Sequence, residues 1–157
     1  MRRNFRQRVL TLFLVFLLPL VSCGQSPDIA DTAQKIKEAD VLPPGNWYRS
    51  EAEMWEVGYI DSALLREWLK TKKLPFTSFR LFFGGGSDIL CEVALVECET
   101  TADAKEAAAL FAARLAVLKK TAKENYALSL RDATVKTAGK TAVYFASPCN
   151  DLLLGLT

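Results

Sequence analysis

The sequence predicts an α+β fold. A small, mainly antiparallel sheet with a ββαββ core forms a two-layer sandwich with one long amphipathic helix, preceded by N-terminal helices. Three observations predict it. An apolar stripe recurs at three- and four-residue steps over 102–124, the spacing of one helix face. Segments with strand patterning stand in pairs on either side of it, at 77–97 and 131–147. A long helix between two hairpins closes most simply by laying its stripe on one sheet face.

The first element is a leader. Arg2, Arg3, Arg6 and Arg8 precede a 13-residue apolar run, Val9 to Val21, with no acid among the first 22 residues. A spanning helix needs about 17 to 25 apolar residues, so the run has the length of a secretion signal. Leu20-Val21-Ser22-Cys23 ends it in a pattern that resembles the lipobox of bacterial lipoproteins. That resemblance implies cleavage before Cys23 and a thioether from its sulfur to diacylglycerol. Two or more acyl chains anchor a protein durably where one is marginal. The expected organisation is a removed signal peptide (1–22), an anchor with a short helix (23–45), and one domain (46–157).

A helix is expected over about 27–40, with Ser26 as cap, Pro27 at its first position, and Ile29, Ala33 and Ile36 on one face. Pro43-Pro44-Gly45 ends that segment. The stretch from Trp47 to Ile60 is aromatic and acidic. Asp61-Ser62 can cap a second helix with Leu64, Leu65, Trp68 and Leu69 as its stripe, broken by Pro75. Phe79, Leu81 and Phe83 alternate with Ser78, Arg80 and Phe82 in a first strand. Gly84-Gly85-Gly86-Ser87 reads as its hairpin turn. A phosphate loop would need a helix after the glycines, and here a strand follows. That second strand, about 88–97, is apolar on both faces, as a central strand is. Thr100-Thr101 cap the long helix, whose stripe is Ala104, Ala108, Phe111, Leu115, Leu118 and Ala122. Two strands, 131–137 and 140–147, turn at Gly139, and Ser147-Pro148 starts a short last helix.

Charge and residue types narrow the function. Four of the 20 basic residues sit in the leader, leaving 16 basic and 18 acidic groups in 23–157. No basic footprint for nucleic acid is left. The chain has no histidine, which excludes Ser–His and Cys–His nucleophiles and His-ligated zinc or haem. No cofactor and no metal are expected, and no catalytic residues. Beyond Cys23, the cysteines are Cys91, Cys98 and Cys149. Cys91 and Cys98 are seven apart in one strand, on opposite faces and more than about 20 Å apart, so they cannot bridge. Cys149 can pair with either, or all three are buried as small apolar groups.

Glu92 is an acid within an apolar strand, where an unpaired carboxylate is costly. Arg114, alone among basic residues in the middle turns of the long helix, is its expected structural ion-pair partner. Trp47, Tyr48, Trp55 and Tyr59 are a candidate surface for a peptide or sugar, or cover for the domain edge or contact with the membrane interface.

Several of these pieces resemble an uncharacterised family of bacterial lipoproteins, a domain of unknown function. They are GYID (Gly58 to Asp61), CEVALVEC (Cys91 to Cys98, with Glu92), DAKEAAALFAARLAVLKK (Asp103 to Lys120, with Arg114), the hairpin around Gly139, and Ser147-Pro148. The resemblance implies the fold and the envelope address without a mechanism. The expected protein is lipid-anchored through Cys23 on the extracytoplasmic side of the cell membrane or outer membrane. Membrane lipid is its partner, an envelope protein is a second candidate partner, and nucleic acid is none. Its expected role is non-enzymatic binding or assembly; the alternative is binding of a small ligand at the Trp47–Tyr59 surface.

Overall fold

The computed structural model describes residues 28–86, 89–122 and 124–157. The leader, Cys23 and the Ser26-Pro27 cap expectation lie outside the described residues. The elements are α1 (Ile29–Glu38), β1 (Gly45–Arg49), α2 (Ser62–Leu69), β2 (Ser78–Gly86), β3 (Ile89–Glu97), α3 (Thr101–Thr121), a 3-10 turn (Glu124–Tyr126), α4 (Ala127–Arg131), β4 (Thr134–Ala138), β5 (Thr141–Ala146) and α5 (Asn150–Gly155). The strands form one antiparallel sheet in the order β1-β2-β3-β5-β4. The fold is α+β, with β2-β3-α3-β4-β5 as the ββαββ core.

Local chemistry sets the helix starts. The Asp28 carboxylate accepts from the N–H groups of Ala30 (2.7 Å) and Asp31 (3.2 Å), so it caps α1. Asp61 caps α2 through the Ala63 N–H at 2.6 Å. Thr100 and Asp103 exchange side-chain and backbone hydrogen bonds in a capping box at the head of α3.

Strand β3 lies at the centre and is buried on both faces. On one face Leu81, Ala94, Val96, Ala142 and Tyr144 pack against Ala104, Ala107 and Phe111 of α3 and Leu65 and Leu69 of α2. On the other, Phe82, Cys91, Val93, Leu95 and Phe145 meet Ile29, Ala33 and Ile36 of α1 and Leu153 of α5. Helix α1 is therefore part of the domain, and α5 joins it on the second face.

Three elements and one side chain differ from the sequence reading. Gly45–Arg49 is an edge strand within a segment read only as aromatic and acidic. Gly84, Gly85 and Gly86 continue β2, opposite Cys91, Leu90 and Ile89, and are not the turn. Gly84 is needed for space: a Cβ there would lie 2.8 Å from the Cys91 Cβ and 3.0 Å from the Pro43 ring. Residues 127–131 are helical, so the strand expected from 131 starts at Thr134. Leu64, expected in the stripe of α2, is 57% exposed.

Candidate functional site

Two clusters of polar and aromatic groups stand out, one on each face of the sheet. The first is built on Glu92, which the alternation of β3 turns toward α3, on the same face as Ala94 and Val96. It is 6% exposed. Arg114, four turns into α3, reaches it with Nη2 at 2.6 Å from Oε1 and Nε at 3.2 Å from Oε2. Tyr144, from β5, donates its hydroxyl to Oε2 at 2.9 Å. The structure thus brings Glu92 and Arg114 together and adds a third member.

Aromatic rings enclose this network. Tyr144 stacks on Phe111 with centroids 5.4 Å apart and planes 11° apart. Trp68 meets Phe83, Phe111 and Tyr144, and the Arg114 guanidinium lies 6.0 Å from its ring centre. The Trp68 indole N–H is buried without a partner among the described residues. Burial and the neighbouring Glu92 carboxylate push the Tyr144 hydroxyl far above the usual tyrosine range. Burial works against the charge on Arg114, but its hydrogen bonds to Glu92 and the attraction of that carboxylate hold it cationic. Three donors occupy Glu92, so the arrangement clamps α3, β3 and β5 together rather than presenting a free base.

The second cluster lies on the α1 face. The C-terminal end of α1, Pro43-Pro44 and β1 enclose a cleft of about 460 Å³, with Ile36, Lys37, Asp40, Trp47 and Phe82 among its walls. Trp47 packs on Phe82 at 5.4 Å, and Lys37 Nζ lies 5.3 Å from the Trp47 ring centre. A cation and a carboxylate beside an aromatic wall suit a small polar ligand with an apolar face. Lys37, Asp40 and Phe82 were not singled out by sequence reasoning, because nothing in their spacing links them to Trp47.

The four aromatics of the candidate ligand surface are not brought together. Trp47 and Tyr48 are neighbours on β1 and point to opposite faces, Tyr48 against Phe83. Trp55 is 79% exposed in the following turn, and Tyr59 is half-buried beyond it. Only Trp47 lines the cleft. A larger, open concavity of about 700 Å³ lies between the end of α3 and α4, near Lys119, Leu128 and Arg131. Its walls are aliphatic and charged, and it holds none of the predicted site residues.

Cys91, Cys98 and Cys149 are all free. Cys91 is buried on the α1 face and Cys98 on the α3 face, and burial pushes both thiols up to about 11. Among the described residues no helix is long and apolar enough to cross a membrane. No protein-family model, curated protein or solved structure matches the chain, and the likeness to uncharacterised bacterial lipoproteins rests on the quoted motifs alone.

Proposed function

We propose that this chain is a lipid-anchored protein of the bacterial cell envelope, held by Cys23 and serving as a non-enzymatic binding or assembly module. The observation that carries the reading is the junction of leader and fold. A basic segment, a 13-residue apolar run and Leu20-Val21-Ser22-Cys23 are followed, five residues after the cysteine, by the Asp28 cap of α1. A secreted domain needs no cysteine at the edge of its leader, whereas a thioether to lipid requires one there. The engagement of Glu92 by Arg114 and Tyr144 supports the non-enzymatic half of the reading, since the most buried acid serves packing.

Metabolic labelling with a fatty-acid analogue tests it. The wild type should incorporate label and Cys23→Ser should not; equal incorporation in both excludes the anchor. The second reading, a small-ligand binding lipoprotein, is favoured by one feature, the Trp47 cleft with Lys37 and Asp40 at its rim.

A further inference from the structure

We infer that the turn from Glu53 to Val57 is a second membrane contact, in which Met54, Trp55 and Val57 enter the lipid interface and fix the orientation of the anchored domain. This rests on the reading of Cys23 as the lipid-bearing residue. Eight large apolar residues are well exposed among the described residues, and four of them fall between Met54 and Leu64. Met54 is 73% exposed, Trp55 79% and Val57 91%. Single exposed apolar residues are ordinary, but a cluster on one short segment marks a contact surface.

The turn is pinned. The Arg49 N–H donates to the Gly58 carbonyl at 2.9 Å, and the Glu56 N–H to that of Glu53 at 2.8 Å. The Glu56 carboxylate accepts from the Glu53 N–H at 3.2 Å and from Arg49 Nη2 at 3.1 Å. Gly58 closes the turn at φ +93°, a conformation that other residues rarely adopt. A loose loop would fold Trp55 back onto the domain. This one is braced so that its three apolar side chains stay in water until something covers them.

Lipid is the covering that the rest of the molecule favours. From Cys23 to Asp28, where the described fold begins, is five residues, a reach of about 18 Å at most. The bilayer would then always lie within about a domain's width of the fold. A contact too weak to bind a free protein is sufficient for a tethered one, because the second attachment is intramolecular. Tryptophan is the side chain most at home at the headgroup level, with an apolar body and a polar N–H. Two of the three acids near the tip are paired, Glu56 with Arg49 and Glu51 with Arg80, which lowers the cost of approach. The Glu53 carboxylate beside the tip is in no ion pair among the described residues, so zwitterionic lipid should be preferred to anionic lipid.

The test uses the full chain purified from bacterial membranes and reconstituted in phosphatidylcholine vesicles, with or without bromine on the acyl chains. The protein has three tryptophans, so Trp47→Phe with Trp68→Phe leaves Trp55 as the only one, excited selectively beyond the tyrosine absorption. Its emission should shift to shorter wavelength and fall about twofold with brominated lipid, as for a ring at the interface. Should that variant fail to fold, the difference between wild type and Trp55→Ala reads the same quenching. Emission from Trp55 that ignores the bromines overturns the proposal, and a photocrosslink from position 55 to an envelope protein in its place assigns the tip to protein docking. Fatty-acid labelling of the same preparation separates the two readings. Label without quenching removes the tip and keeps the anchor; quenching without label keeps the tip and removes the anchor.

Discussion

Glu92 is held by donors from two other elements, and its environment decides how much each is worth. Its side chain is 8% exposed and that of Arg114 25%, so the pair lies between a solvated ion pair and a fully buried one. Arg114→Met leaves the carboxylate with Tyr144 alone and should cost about 3 kcal/mol in denaturant melts. In a double-mutant cycle with Glu92→Gln the coupling should be about 1 to 3 kcal/mol; strict additivity would mean the two groups do not sense each other. A carboxylate in an apolar strand demands a counter-charge, and one arginine in mid-helix answers it, which is why this pair was legible in the sequence. Tyr144 was not, because in an alternation pattern a tyrosine reads as an apolar residue and its hydroxyl leaves no trace. Cys91 gives a test of another kind. Its thiol is raised by burial from an ordinary value of 9.0 to about 11. As pH rises the unfolded chain therefore loses this proton first, and stability falls between those two values. The loss should be about 2 kcal/mol larger in the wild type than in Cys91→Ala when melts at the two ends of that window are compared. Equal losses would show that the thiol ionises alike in both states.

Helix α3 is the element that organises the first face, and its burial is uneven. Ala104, Ala107 and Phe111 are fully buried, all in the first half, while Leu115 and Leu118 are only partly covered. A helix of 21 residues is about 31 Å long, and its C-terminal half is covered less completely than its first half. The apolar stripe foretold the contact but not how the cover is shared along it, and Leu115 is less buried than its place on the stripe implies. Phe111→Ala should cost about 3 to 5 kcal/mol, since it removes a ring stacked on Tyr144 and leaves a cavity. Val117→Ala, on the exposed side, should stay within about 0.5 kcal/mol. Similar losses in the two variants would show that α3 packs in a different rotation. The same logic explains which elements were legible. The caps at Asp61 and Thr100 are local chemistry, visible in a few residues. Strand β1 is five residues with Trp47 and Tyr48 on opposite faces, too short to show a period. The triple glycine looked like a turn because the crowding of Gly84 by Pro43 and Cys91 comes from residues distant in the chain.

At the scale of the molecule, the sheet is covered on both faces, by α2 and α3 on one side and α1 and α5 on the other. The apolarity of β3 on both sides announced this. The coverer of the second face was not visible, because the three apolar residues of α1 serve equally for a membrane surface or a sheet. Docking of α1 on the sheet leaves the proposed membrane contact to the turn at Trp55 and not to α1. The sheet still has two outer edges, β1 and β4, each five residues long. Open edges invite pairing with another copy. Lipid-bound proteins move in two dimensions, where copies meet far more often than in bulk solution. The edges carry their own deterrents: β1 is entered through Pro43-Pro44 and leaves at Arg49, and β4 bears an exposed Lys136 at its midpoint. On the proposed anchor, brevity and charge at these borders would let many copies share a crowded leaflet without joining into ribbons.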